Sequence, residues 1–447
     1  MQLRRALRIA PGLTVALIGA GGKTSAIRRL TLEVLQTSNG EPNSVVITTT
    51  TQLGLNQQDL ANLHLVDPTQ DQIAALPELL TESRSVLVTG PATEDKWTSP
   101  SDSTLEQLHH LASESGSVLL IEADGARGRS LKVPAEHEPP IPKFADLIIP
   151  MAGLDALGQA IESEAVHRPE LVAALLDAPQ EAEIGPVELA AVLAAEQGGL
   201  KGVSDGAEVR VLLNKADGSL MEPGRQIAQA LLESSQIQSV ALASVIEDDP
   251  VREVRGRVAG VVLAAGSSSR LGEPKQLIQW RGHPLVWHAV RAAVEGGLEP
   301  IVVVVGDAAD GQRQALASEA IVFIENSDWE TGQSSSVRLG LEAVEKGTEG
   351  VIFLLADLPF VGPDLVSALI ERHRQTLSPL VAAWAGGRRA NPVLFDRKTY
   401  AELQVLEGDQ GGRAIFRRFE REFVEWDDSI LLDVDTPRDL ERLRGLE

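Results

Sequence analysis

The chain has 447 residues, a formal net charge of −24, no cysteine, and a composition 43% hydrophobic but only 3% aromatic. That length requires two or more cores. The acidity argues against nucleic acid or an anionic membrane as the main partner, since both need a basic face. The missing cysteine excludes disulfides, thiolate metal sites and Cys nucleophiles, and a chain without disulfides fits the cytoplasm.

In chain order, residues 1–25 imitate a signal peptide, with Arg4 and Arg5 ahead of an apolar run. The run is short and passes straight into a glycine–lysine loop, so it reads as a buried strand, Leu13–Gly19. No other segment approaches the roughly 20 apolar residues that span a bilayer. Further strands are expected at Ser44–Thr48, Ser85–Thr89, Val118–Glu122, Leu147–Pro150 and Glu208–Asn214, separated by helical patterns such as Lys23–Gln36 and Leu105–Ser113. Such alternation predicts a mainly parallel sheet. Lys96–Thr104, rich in Ser, Thr and Pro, reads as a loop, and Glu162–Gly199 as an Ala/Leu-rich helical insert. Glu247–Arg257 (EDDPVREVRGR) reads as a linker. A second α/β pattern opens at Val258, with strands expected at Pro300–Gly306, Ala320–Glu325, Gly350–Ala356, Leu380–Trp384 and Pro392–Phe395. The chain thus reads as two consecutive α/β domains, 1–246 and 258–447, joined by 247–257.

In the first domain, Ile18–Ser25 (IGAGGKTS) stands at a strand-to-helix turn. The full Walker A spacing fails because Leu17 holds the first glycine position, and a dinucleotide-binding reading lacks its third glycine, where Thr24 stands. What remains, Gly19, Gly22, Lys23 and Thr24, resembles the shortened P-loops of Mur ligases. Together with Gly21 it would cradle the phosphates of ATP or GTP, with Lys23 reaching them and Thr24 touching Mg²⁺; a plain tight turn is the alternative. Thr48–Thr51 offers hydroxyls for metal or phosphate, or is only a polar strand end. Glu122 and Asp124 end a Walker B-like strand, with Asp124 the expected metal ligand, and Arg127, Arg129 and Lys132 form a cationic patch. Asn214, Lys215 and Asp217 reproduce the Asn-Lys-x-Asp order of guanine recognition. His137 and His167 suit acid–base roles or ordinary packing, while His109–His110 read as a helix surface.

In the second domain, Val261–Lys275 (VVLAAGSSSRLGEPK) delivers a small-residue loop to the carboxyl edge of a sheet, where ligands bind in open α/β folds. Small residues let backbone N–H groups approach an anion, and Arg270 and Lys275 supply cations. Asp357 ends an apolar strand in GVIFLLADLPF, placed to hold Mg²⁺ against a phosphate or to make a turn. Asp433 and Asp435 share one side of an expected extended strand; one completes the metal site, Asp435 by preference, and the other caps. Thr436–Pro437 opens a helix. Gly332–Arg338 (GQSSSVR) reads either as a second anion or pterin loop or as a Ser-rich helix start.

These segments, with NSDWETGQSSSVRLGL, NPVLFDRKTY and LEGDQGGRAIF, resemble the molybdenum cofactor cytidylyltransferases (MocA-type) over most of residues 258–447. The resemblance implies a Rossmann-like nucleotidyltransferase domain that moves CMP from Mg²⁺–CTP to the terminal phosphate of molybdopterin and releases pyrophosphate. It implies that Leu263, Ala264, Ala265 and Gly266 hold base and ribose, and that Ser267, Ser268, Ser269 and Arg270 line the triphosphate. Lys275 would then stabilise charge at the α-phosphate, and Asp357 and Asp435 would position the metal. Asn391 and Asp409–Gly412 are expected to shape the acceptor pocket. Guanylyl-transferring cousins show Leu-Ala-Gly-Gly where this chain has Leu-Ala-Ala-Gly, which favours CTP over GTP.

GAGGKTS, TTTTQLG, EADGARGRSLKVPAEHEPPIP, HRPE and NKAD resemble the accessory protein of selenium-dependent molybdenum hydroxylases (YqeC-type), up to about residue 220. That resemblance implies cofactor maturation, with a hydroxylase apoprotein as partner. Two rival readings stay open: an NTP-driven switch or insertion chaperone in the first domain, and a sugar or alditol phosphate as acceptor in the second.

Overall fold

The computed structural model describes residues 1–36, 43–266, 271–306 and 308–446. They form two compact units, Met1–Arg255 and Gly256–Glu447.

The first unit is built on a nine-stranded sheet. Its strands are β1 Thr14–Gly19, β2 Val45–Thr49, β3 Leu63–Val66, β4 Ser85–Thr89, β5 Val118–Glu122, β6 Leu147–Gly153, β7 Glu208–Asn214, β8 Ile237–Ala243 and β9 Val251–Gly256. The order across the sheet is β9-β8-β7-β6-β1-β5-β2-β4-β3. Pairing is parallel from β8 through β3, as strands buried on both faces require. One face, with Ala16, Ile18, Val46 and Leu119, packs on the helices Leu76–Ser83 and Asp102–Ser115. On the other half of the sheet, Ala152, Val211 and Leu242 pack on Pro169–Leu176, Pro186–Ala194 and Met221–Leu231.

Three expectations need correction in this unit. The segment read as a linker contains β9, an edge strand whose Val251, Glu253 and Val254 are buried. Its charges misled because Glu253 faces Arg225 and Arg255 at 2.9 Å instead of solvent. The helical insert is two short helices, Pro169–Leu176 and Pro186–Ala194, after a strand of two residues, Val166–His167. The Lys96–Thr104 loop includes Lys96–Trp97, paired with Leu53–Gly54, and ends in the helix that Ser101 caps.

The second unit holds a seven-stranded sheet. Its strands are β10 Val258–Ala264, β11 Ile301–Val305, β12 Val322–Glu325, β13 Gly350–Leu355, β14 Leu380–Ala385, β15 Arg388–Asp396 and β16 Arg421–Glu425, in the order β12-β11-β10-β13-β15-β14-β16. β15 runs antiparallel to both neighbours. Along β10 the alternation is strict: Val258 and Val262 pack toward the helices Leu285–Glu295 and Pro363–Thr376, and Ala259 and Val261 toward Gln333–Val344. Chain order reverses direction at β10, between β11 and β13, so the carboxyl ends of β10 and β13 face a natural crevice. No helix among the described residues is long and apolar enough to cross a membrane.

Candidate functional site

In the second unit, the loop after β10 and the turn after β13 meet at that crevice. Lys275 opens a short 3₁₀ turn, Lys275–Leu277, and its Nζ donates to Asp357 Oδ2 at 2.5 Å and to Asp435 Oδ1 at 2.7 Å. Burial pulls the Lys275 pKa down, but Asp357 and Asp435 outweigh burial and hold it above the ordinary lysine value. Asp357 and Asp435 come together because Val434 is fully buried and its N–H donates to Asp357 O at 3.1 Å. Asp433 through Asp435 is irregular, not a strand. Asp433 is exposed, and burial together with the charges of Asp435 and Asp357 pushes its carboxyl up. Neither aspartate caps the following helix: Thr436 and Asp439 form that capping box.

A cavity of about 400 Å³ lies here, lined among others by Leu263, Ala265, Gly266, Lys275, Gln276 and Asp357. Gln276, which sequence reasoning passed over, fixes the loop by donating to Gly266 O at 2.8 Å, and Gln312 holds Ala264 O at 2.9 Å. The expected contributions of Ser267, Ser268, Ser269 and Arg270 lie outside the described residues. Asp357 Oδ1 is buried without a hydrogen-bond partner among the described residues. An orphaned carboxylate oxygen is costly unless a ligand meets it, so the site fits a cation. No group of three or more acidic, His or Cys side chains suited to a metal occurs among the described residues. A metal here would draw on Asp357, Asp435 and substrate phosphates, the usual way Mg²⁺ is held.

A second cavity of about 510 Å³ shares Leu263, Gln333, Leu355 and Asp409 with the first. Asn391 and Asp409–Gly412 line it, as do Arg389 and Arg413, which no sequence motif joins. Gly332–Arg338 resolves as a helix start: Gly332 has φ +116° and abuts Gly408, while Ser335 and Ser336 are held by Asn326 Nδ2 at 2.9 Å each. Gln333 and Ser336 still reach the first cavity.

In the first unit, β1 ends at a loop locked by glycines. Gly19, Gly21 and Gly22 have φ +83°, +80° and +111°, a region that suits glycine. Gly21 N donates to Arg129 O at 2.8 Å, and Asn214 Nδ2 donates to Gly21 O at 2.7 Å. Gly22 caps the helix Lys23–Leu35, whose Ala26, Ile27, Leu30 and Val34 recur at helical spacing on the buried side. Lys23 is 5% exposed and donates to Gly19 O at 2.5 Å. Burial pulls its pKa down against the charges of Glu122 and Asp124, and burial likewise pushes Glu122 up. Thr24 Oγ1 lies 3.3 Å from Glu122 Oε2 and accepts from Gln57 Nε2 at 2.8 Å.

Asp124 has both oxygens engaged, one with Gly19 N at 3.1 Å and one with Lys132. It braces the loop, and Glu122 is the carboxylate beside Thr24. Lys132 leaves the expected cationic patch: it is 4% exposed and neutralised by Asp124 and by Glu138 at 2.9 Å. Glu138 also takes two bonds from Arg168, at 2.5 and 2.9 Å, and Arg168 and Lys132 hold its carboxyl far below the usual range. Thr48 and Thr49 spend their hydroxyls on Val88 O and Glu122 O, at 2.8 and 2.9 Å. Thr50 Oγ1 is buried without a partner among the described residues. Lys215 pairs with Asp155 and Asp217 with Arg252, each at 2.7 Å. His109 stacks on Phe144 at 4.6 Å and bonds Thr14, so it packs where a surface position was expected. His137 is exposed, and burial together with Lys132, Arg168 and Arg127 keeps the His167 pKa low.

Residues 260–423 match the family described as MobA-like NTP transferase domain, and residues 15–170 match the family described as YqeC protein. Nicotine blue oxidoreductase of Paenarthrobacter nicotinovorans is 31% identical over 202 residues, 42% of this chain and 96% of that protein. The uncharacterized protein YqeC of Escherichia coli (strain K12) is 30% identical over 220 residues, 47% of this chain and 82% of that protein. Among solved structures, Rv0371c of Mycobacterium tuberculosis H37Rv is 29% identical and covers 42% of this chain and 98% of its own, with a TM-score of 0.39.

Proposed function

Because the chain belongs to the YqeC family by its first half and to the MobA-like NTP transferases by its second, we propose that it matures a molybdenum hydroxylase cofactor. In this reading the second unit, a nucleotidyltransferase of the MobA-like type, transfers CMP from CTP to the terminal phosphate of molybdopterin. The observation that carries the reading is Lys275 bound between Asp357 and Asp435, at a 400 Å³ cavity lined by Leu263, Ala265 and Gly266 that shares lining residues with a second cavity. Leu-Ala-Ala-Gly at residues 263–266 supports CTP.

The nucleophile is an oxygen of the acceptor phosphate. It attacks the α-phosphorus, a P–O bond forms, the bond to the bridging oxygen breaks, and pyrophosphate leaves with its electron pair. No covalent residue is required, so the enzyme's work is positioning and charge neutralisation. Mg²⁺ held by Asp357 and Asp435 would neutralise phosphate charge and orient the triphosphate. Lys275, once nucleotide arrives, exchanges a carboxylate for a phosphate oxygen and meets the charge that develops around the α-phosphate. Its raised pKa keeps it a cation throughout. The backbone of Leu263–Gly266, fixed by Gln276 and Gln312, holds base and ribose.

For the first unit, we infer ATP or GTP binding by Gly19–Thr24, with Thr24 and Glu122 beside the metal, in service of the same cofactor. The positive-φ glycines and buried lysine support this. The inferred partner is a molybdenum hydroxylase apoprotein, and the inferred compartment is the cytoplasm. Pyrophosphate release from CTP and from GTP, with and without molybdopterin and Mg²⁺, tests the central claim. Turnover of CTP that depends on molybdopterin is expected; equal turnover of GTP, or none with active cofactor, overturns it.

A further inference from the structure

The second cavity carries more information than its position. Arg389 and Arg413 line it and do not line the first. The protein has 64 Asp and Glu against 40 Lys and Arg, so carboxylates are in excess. Even so, neither guanidinium has a carboxylate partner among the described residues. Arg389 lies over the Phe416 ring, its Cζ 4.2 Å from the centroid, which fixes its plane. Burial and the neighbouring Arg413 charge both pull its pKa down. Arg389 is half-buried and Arg413 exposed at the rim of the same cavity, and two like charges held this close cost free energy unless an anion joins them. Asp409 stands at the junction of the two cavities and pairs with neither arginine. Apolar side chains line the same cavity: Phe353 and Phe395, which meet edge to face at 5.7 Å, and Val393.

We propose that Arg389 and Arg413 jointly bind an anionic group of the acceptor, whose flat apolar body rests on Phe395 and Phe353. The proposal rests on the nucleotidyl-transfer reading of the first cavity and makes the second cavity the place where acceptors are told apart. Arginine suits the task because its planar fork grips an oxyanion through two bonds. The amide groups of Asn391 and Gln410 stand at the same cavity to meet polar edges of a ring. Neutral ring compounds and small phosphates lacking a ring each meet only half of the site.

The test uses the full chain with Arg389→Gln, Arg413→Gln, the double variant, and the two Arg→Lys variants. Steady-state pyrophosphate release is measured with CTP and molybdopterin. Loss of one charge-assisted contact is expected to raise the acceptor KM about 10- to 100-fold, with the CTP KM within about twofold and the Lys variants intermediate. A second measurement needs no turnover: calorimetric binding of inorganic phosphate without nucleotide is expected to weaken at least about tenfold in the double variant. An unchanged acceptor KM, or phosphate binding that survives in a folded double variant, overturns the arginine site. If the wild type turns over no acceptor but binds phosphate through these arginines, the transfer reading fails and the anion site stands.

Discussion

Each unit sets a lysine beside two acidic residues at the carboxyl ends of parallel strands, yet the two lysines are held in opposite ways. Lys23 is buried and bonded to its own loop's backbone, at Gly19 O, with its pKa pulled down by burial. Lys275 is bonded to two side chains, Asp357 and Asp435, which hold its pKa up. The loops differ in the same sense. A Cβ on Gly21 would meet Gly153 N at 2.2 Å, whereas one on Gly266 meets nothing within 4 Å among the described residues. The first site is a closed turn welded to β6. In the second, the cation is kept in place by side-chain partners that a nucleotide and a metal can take over. A site that turns over polyanions needs the second arrangement; a site that only clasps one is served by the first.

The hardest blow to this contrast is Asp357→Asn. It removes the negative charge that faces Lys275 and replaces one of the two carboxylate oxygens, the orphan or the Lys275 acceptor, with an amide nitrogen that cannot ligate a cation. Pyrophosphate release is expected to fall at least about 100-fold, the scale of losing one key electrostatic contact. ATP or GTP binding by the first unit, followed by fluorescent analogue titration on the same preparation, should be unchanged. Near-normal release would remove the metal assignment and with it the second half of the comparison.

Next in size is the pair Gly21→Ala and Gly266→Ala. Gly21 combines φ +80° with a backbone clash, so alanine is expected to destabilise the first unit by about 1–3 kcal/mol and abolish its nucleotide binding. Gly266→Ala is expected to leave folding intact, because its Cβ meets none of the described residues within 4 Å. Chemical denaturation of both variants checks this, and equal destabilisation would show that the loops are not different in kind.

These contrasts were partly legible in the residues. Apolar runs with turn signals gave Ser85–Thr89, Val118–Glu122 and Glu208–Asn214 the bounds they have in the sheet. They also put Lys275 in the loop that follows β10 and Asp357 just past the end of β13. Val251–Gly256 was hidden because its charged residues satisfy one another inside the fold, and hydropathy records Glu253 as polar whether it meets Arg225 or water. Lys132 was misread as part of a patch for the same reason: sequence order shows Arg127, Arg129 and Lys132 together, but not that Asp124 and Glu138 face Lys132. Arg389 and Arg413 are separated by the rest of β15, a 3₁₀ turn and the helix Tyr400–Gln404, so no local pattern joins them. Spacing reveals what one segment does; it is silent on charges that meet only after folding.

The smallest effect is one of pH. The folded pKa of Lys23 lies below its ordinary value of 10.5, so between the two values the unfolded chain binds more protons. Stability of the first unit should therefore rise with pH through that window, as the buried ammonium is relieved of its charge. Lys275 has the opposite sign: its contribution is fully present below 10.5 and is lost only as pH climbs through its raised value. As pH approaches 10.5 from below, Lys23→Met should thus flatten the pH dependence of thermal unfolding, while Lys275→Met should leave the slope alone. A Lys23→Met protein that follows the wild-type slope would mean that Lys23 is paired well enough to stay charged. The two lysines would then be held alike, and the welded turn would have no electrostatic counterpart.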